Sequence, residues 1–240
     1  MQWQTIKHKI LNHLFGSYLK LIERTCRVRF VNESCVSFGH IIGFWHGDSF
    51  LMNLVLKNFA KQEADIEVIV TADERGDYIE HQIKKFGAGT LRMPDGFRMK
   101  PFLKDLMRES EKPNTIMAVS LDGPLGPRCE PKKLAFMLAE NGQKNFIGIR
   151  IVPSRAIRLT KRWDHYVIPL PFTSITVTMD DFGMITKQDL KEFGEYREYV
   201  RERLVPREIT AEEGNAQVDT KEDLLNVCAA GSLQNAKSVL

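Results

Sequence analysis

The segment Phe44-Trp45-His46-Gly47-Asp48-Ser49 joins an apolar run to the start of an apolar helical pattern. The run, residues 36–45, reads as a buried strand interrupted by glycine. A strand that ends on histidine sets the imidazole at a sheet's carboxyl edge, where open α/β sheets bind ligands. Imidazole can take a proton from a hydroxyl at neutral pH. Read alone, His46 equally fits an imidazole satisfied by hydrogen bonds beside Trp45. Gly47 leaves room for a substrate near the backbone. Asp48 either orients His46, or anchors a substrate cation, or caps the next helix.

A second segment is Ser120-Leu121-Asp122-Gly123-Pro124-Leu125-Gly126-Pro127-Arg128. Two Gly-Pro steps after an apolar strand make a stiff, tight loop. Its amides and Arg128 suit a phosphate or carboxylate, and Asp122 is a second carboxylate for His46. It also reads as a plain structural turn. A third segment runs from Arg150 through Arg155, Arg158, Lys161, Arg162, Trp163 and Asp164. It is basic and aromatic, which fits phospholipid headgroups, nucleic acid or simply a solvated loop. No Walker loop, H-E-x-x-H or G-x-S-x-G pattern occurs. The four cysteines form no zinc spacing, so no metal is expected and a reducing compartment fits them.

The elements that must position these residues alternate. Strand patterns at 27–31, 36–45, 67–71, 115–121 and 145–152, with a turn into a short one over 87–92, are separated by helical patterns at 49–59, 77–85, 99–111 and 132–141. This predicts an α/β domain with a mostly parallel central sheet flanked by helices. Residues 188–204 read as a closing helix. Residues 3–24 form an amphipathic helix, with Ile6, Ile10, Leu14, Tyr18, Leu19 and Ile22 on one stripe and Lys7, Lys9, Lys20 and Arg24 around it. It either packs on the domain or lies in a membrane interface. The expected organisation is therefore helix 1–24, domain 25–206 and a polar tail 207–240 with a short helix at 220–229.

Composition bounds the function. The 240 residues carry a formal charge of +3, too small to argue for nucleic acid. Residues 1–29 hold six bases (Lys7, Lys9, Lys20, Arg24, Arg27, Arg29) against Glu23, a net of +5. Residues 207–240 hold three bases (Arg207, Lys221, Lys237) and six acids (Glu208, Glu212, Glu213, Asp219, Glu222, Asp223), a net of −3. No run is long and apolar enough to span a bilayer, and no signal peptide is expected.

Together these segments resemble the lysophospholipid acyltransferase-like superfamily. More specifically, they resemble its uncharacterised bacterial domain-of-unknown-function branch, distantly related to lipid A acyltransferases. The matching blocks are Phe44-Trp45-His46-Gly47, Gly76-Asp77, Asp122 to Arg128, Ser154-Arg155-Ala156-Ile157-Arg158-Leu159, Trp163-Asp164 and Ile168 to Phe172. They span roughly residues 20–180.

The resemblance implies a glycerolipid acyltransferase-like α/β fold at the cytoplasmic face of the inner membrane, peripheral, or in the cytoplasm. It implies acyl transfer from acyl carrier protein or coenzyme A to a lysophospholipid or lipid A-like glycolipid. His46 is the expected general base, with Asp122 or Asp48 orienting it. The expected substrate contacts are Trp45, Gly47, Gly123, Pro124, Gly126, Arg128, Arg155 and Arg158. No bound cofactor is needed, because the acyl thioester is a co-substrate. The wider superfamily has an acid five residues after the histidine; here Leu51 stands there. The branch has a Ser- and Gly-rich segment where this chain has Met93-Pro94-Asp95-Gly96-Phe97-Arg98. A non-catalytic lipid-headgroup-binding protein on the same fold is the alternative, and a polyanion binder using residues 150–162 a third.

Overall fold

A computed structural model describes residues 2–36, 39–62, 65–71, 74–94 and 99–205. The chain divides into Met1–Pro206 and Arg207–Leu240. The tail from 207, the short helix expected at 220–229 and residues 95–98 lie outside the described residues.

The chain runs α1 (Gln2–Thr25), β1 (Arg27–Val31), β2 (Ile41–Phe44), α2 (Ser49–Ala60), β3 (Asp65–Thr71), α3 (Glu74–Ile83), β4 (Gly89–Met93), α4 (Met99–Ser110), β5 (Thr115–Ser120), α5 (Leu134–Gly142) and β6 (Asn145–Pro153). It continues through β7 (Ala156–Arg158), β8 (Val167–Pro169), β9 (Ser174–Met184), α6 (Lys187–Lys191) and α7 (Phe193–Leu204). A seven-stranded sheet has the order β1-β9-β6-β2-β5-β3-β4. From β6 to β4 all neighbours pair in parallel. β9 pairs antiparallel with β6, and β1 pairs parallel with β9. The fold is α/β with a mostly parallel sheet flanked by helices.

Period-two alternation splits the core into two layers. Ile42, Phe44, Val68, Val70, Ile116, Ala118, Ile147 and Ile149 face α1, α2 and α3. Ile41, Ile69, Met117, Val119 and Phe146 face α4, α5 and α7. Both faces are covered, so the parallel strands read as continuous apolar runs.

Three readings change. The strand expected over 36–45 narrows to Ile41–Phe44 among the described residues. The closing helix is two, because a Thr186–Asp189 capping box starts α6 and the chain turns at Glu192 before α7. Residues 154–185, read as a basic loop and an unassigned stretch, form the two-stranded β7–β8 sheet and the long strand β9. The signal for β9 was present: Ile175, Val177 and Met179 alternate and are buried.

The second half of α1 packs on the domain. Leu19 and Ile22 are buried, Phe15 meets Phe50 at 5.1 Å, and the Tyr18 hydroxyl donates to the Pro169 carbonyl at 2.6 Å.

Candidate active site

Three neighbouring parallel strands, β6, β2 and β5, deliver the site. The chain leaves β2 at Phe44 and reaches His46; it leaves β5 at Ser120 and reaches Asp122. It leaves β6 into the β7–β8 hairpin, whose connecting loop carries Arg162, Trp163 and Asp164. Neighbouring carboxyl ends bring residues 76 and 118 positions from His46 into contact with it.

The imidazole is held by Asp164. His46 Nδ1 lies 2.8 Å from Asp164 Oδ2, and the Asp164 side chain is fully buried. Arg162 grips the same carboxylate in a fork, Nε to Oδ1 at 2.9 Å and Nη2 to Oδ2 at 2.7 Å. Burial alone would raise the Asp164 pKa, but the hydrogen bonds from Arg162 and His46 outweigh it and hold it down at about 2. An ionised carboxylate only accepts, so Nδ1 carries a hydrogen, and the neutral ring held this way has its lone pair on Nε2. The Trp163 ring lies 5.1 Å from the imidazole.

Two glycines make this seating possible. A Cβ on Gly47 would stand 2.3 Å from the Asp164 carbonyl oxygen. A Cβ on Gly126 would stand 2.6 Å from the Trp163 ring, and its φ of +71° independently favours glycine. Gly47 therefore admits the Asp164 backbone rather than the expected substrate.

The two acids expected to orient His46 do other work. Asp122 Oδ1 accepts the His46 backbone N–H at 2.9 Å, and its Oδ2 accepts the Cys129 N–H at 3.1 Å. It ties the strand end to the Gly-Pro loop without bonding the imidazole ring. Asp48 occupies the N-cap position of α2 but its side chain makes no capping hydrogen bond. Burial pushes its carboxyl up to about 7, with Arg158 and Arg128 pulling it down and Asp122 pushing it up. Leu51, at the position of the superfamily acid, is 0% exposed in the core. The orienting carboxylate thus comes from a different strand end, a pairing that sequence separation hid although Trp163-Asp164 was visible as a motif.

A cavity of about 400 Å³ opens beside His46. Its long wall is apolar, including Phe15 from α1, Met52 and Leu56 from α2, Val70 from β3 and Ile83 from α3. Its polar lining includes His46, Ser120, Lys132 and Arg162. Such a volume lies within the ~300–1,000 Å³ of small-molecule sites.

The other expected contacts divide. Gly123 and Pro124 line the cavity, but the Gly123 amide is already donated to the Ser120 carbonyl at 3.3 Å. Trp45 is 4% exposed, and its Nε1–H donates to the Leu204 carbonyl at 3.1 Å, so it braces α7 against the sheet. Gly126 seats Trp163. Arg128, Arg155 and Arg158 are exposed and not among the cavity-lining residues. Lys132, Arg162, Tyr166 and Phe15, which sequence reasoning did not place in the site, do line it.

Among solved structures the chain is similar to the 1-acyl-sn-glycerophosphate (LPA) acyltransferase PlsC of Thermotoga maritima, with a TM-score of 0.44, 14% identity and coverage of 86% of this chain and 85% of that one. It is also similar to the uncharacterised protein RP090 of Rickettsia prowazekii (strain Madrid E), 25% identical over 175 residues, 70% of this chain and 78% of that protein. No family model matches.

Proposed function

We propose that the protein is an O-acyltransferase. It moves a fatty acyl group from a thioester of acyl carrier protein or coenzyme A to a hydroxyl of a lysophospholipid or lipid A-like glycolipid. The observation that carries this reading is the His46–Asp164 pair, with His46 in the lining of a mostly apolar cavity.

The residues divide the work. Asp164 fixes the imidazole with Nε2 as the base, and Arg162 keeps Asp164 ionised. Nε2 takes the acceptor hydroxyl's proton as that oxygen attacks the thioester carbonyl. The tetrahedral intermediate collapses, the C–S bond breaks, and the leaving sulfur takes the proton back from Nε2. The apolar wall holds the acyl chain, and Lys132 and Arg162 supply positive charge for the acceptor's phosphate.

The two serine hydroxyls lining the cavity are engaged elsewhere. Ser49 Oγ donates to the His46 carbonyl and Ser120 Oγ donates to Asp122 Oδ1. The acceptor alcohol is therefore the nucleophile, and no acyl-enzyme is required. The absent acid at Leu51, which motivated a purely lipid-binding reading, is replaced by Asp164.

The test is acyl transfer from labelled acyl carrier protein or acyl-coenzyme A to a panel of lysophospholipids and glycolipid precursors, by wild type and His46→Ala. Transfer by wild type that falls at least ~100-fold in the variant is the expected result. Equal transfer by both proteins overturns the role of His46, and none by either overturns the enzymatic reading for that panel.

A further inference from the structure

The β7–β8 hairpin stands apart from the main sheet, and its two faces differ. Val167 and Pro169 are buried, and Val167 and Ala156 join the core beneath. Ile157 pairs with Ile168 on the opposite, outer face. Ile157 is 51% exposed, and alternation places Arg155 and Leu159 on the same side. The Leu159 N–H to Tyr166 carbonyl bond at 3.0 Å and the Leu170 N–H to Arg155 carbonyl bond at 3.0 Å extend the ladder at both ends. Phe172 follows at the hairpin's base, 80% exposed with a φ of +58°. Among the described residues nothing buries this ring.

The charge around these apolar groups has one sign. Arg155, Arg158, Lys161 and Arg162 are exposed. The sole acid in residues 154–173 is Asp164, which is buried and paired with His46 and Arg162. Below the hairpin, Asp48 is buried and held towards its neutral form. Exposed apolar side chains with Arg155 on their face and Lys161 in the adjoining loop match an anionic lipid interface, where apolar groups enter the acyl boundary and cations meet headgroups. A second copy of the chain related by a two-fold axis would instead set this cationic face against itself. The position is also telling. Arg162 and Pro124 line the cavity, and each adjoins an exposed residue in sequence, Lys161 and Leu125, the latter 87% exposed.

We propose that the outer face of the β7–β8 hairpin is a docking surface for a bilayer containing anionic phospholipid, and that docking brings the His46 cavity to the membrane. The proposal deepens the acyltransferase reading by naming the surface from which a lipid acceptor reaches the site. It differs from anchoring by α1 alone, whose Ile10 and Leu14 are also exposed.

The experiment is vesicle co-sedimentation of the full chain. Vesicles of phosphatidylcholine alone are compared with vesicles of phosphatidylcholine and phosphatidylglycerol. The variants are Ile157→Ser/Phe172→Ser, Lys161→Glu and Ile10→Ser/Leu14→Ser. Transfer to a dispersed, short-chain lysolipid is measured in parallel. Wild type is expected to bind the anionic vesicles, less so at high salt. The hairpin double variant is expected to bind at least about tenfold more weakly, with its thermal midpoint and transfer to dispersed acceptor unchanged. Lys161→Glu is expected to weaken only the anionic-vesicle binding. Wild type that ignores anionic vesicles, or a hairpin variant that binds like wild type, overturns the proposal. So does loss of all binding in the α1 variant while the hairpin variant keeps it. Hairpin-dependent binding without any transfer leaves the docking surface standing and counts against the enzymatic reading alone.

Discussion

The carbonyl oxygen of Asp164 occupies the space that a side chain on Gly47 would need, 2.3 Å from where its Cβ would sit. Gly47→Ala must therefore push the Asp164 backbone away from His46. The expected outcome is a destabilisation of about 1–3 kcal/mol by denaturant unfolding and a fall in transfer of about 10²-fold or more. A variant with full activity would show that the two segments are not packed as described.

Asp164→Asn keeps the shape but removes the charge that fixes the Nδ1–H tautomer. Transfer is expected to fall by about 10²–10⁴-fold, chiefly in kcat. The wild-type carboxylate is held at about 2, below its ordinary 3.8. Its contribution to stability is present above about pH 4 and lost as pH falls through about 2. Acid unfolding of the Asn variant should lack that component.

Asp122→Ala separates scaffold from chemistry. It strips acceptors from the backbone N–H groups of His46 and Cys129. Calorimetry or denaturant unfolding is expected to show a loss of about 2–4 kcal/mol. Asp164→Asn should cost less stability and more activity than this change. The reverse ranking would make Asp122 the working acid.

Asp48 gives the opposite pH dependence to Asp164. Its folded-state value, about 7, lies above its ordinary 3.8, so folding favours the protonated carboxyl. The associated stability is full below about pH 4 and is lost as pH rises through about 7. At ~1.4 kcal/mol per pH unit the rise corresponds to about 4 kcal/mol. Asp48→Asn is expected to flatten unfolding stability between pH 5 and about 8 and to gain about 2–4 kcal/mol at the upper end. Equal pH profiles for the two proteins would contradict the burial of this charge.

The cavity wall should govern acyl length. Ile79 of α3 lines it and is only half-buried, so a larger side chain there intrudes on the chain site. Ile79→Trp is expected to shift preference towards shorter acyl donors, read from competition among donors of graded length. An unchanged preference would place the acyl chain elsewhere.

Much of the scaffold was legible locally. Apolar runs such as residues 115–120 are strands because both sheet faces are covered, and the helical patterns between them are helices. His46, Asp122 and the Trp163-Asp164 motif stood out by residue type and loop chemistry. The hairpin was hidden because the five bases between Arg150 and Arg162 read as a solvated loop, although Ile157 and Ile168 are strand partners.

Local order alone determines which residues end which strand. It puts His46 after β2, Asp122 after β5 and Asp164 beyond β6, and it makes Leu51 part of an apolar helix. Only the tertiary structure decides that β6, β2 and β5 are neighbours and that Asp164, 118 residues away, reaches the imidazole while Asp122 takes the backbone N–H. The physical reason is that strand order is set by which faces bury together, and hydrogen-bond partners by the space that glycines such as Gly47 leave open. Neither quantity is written in any one segment.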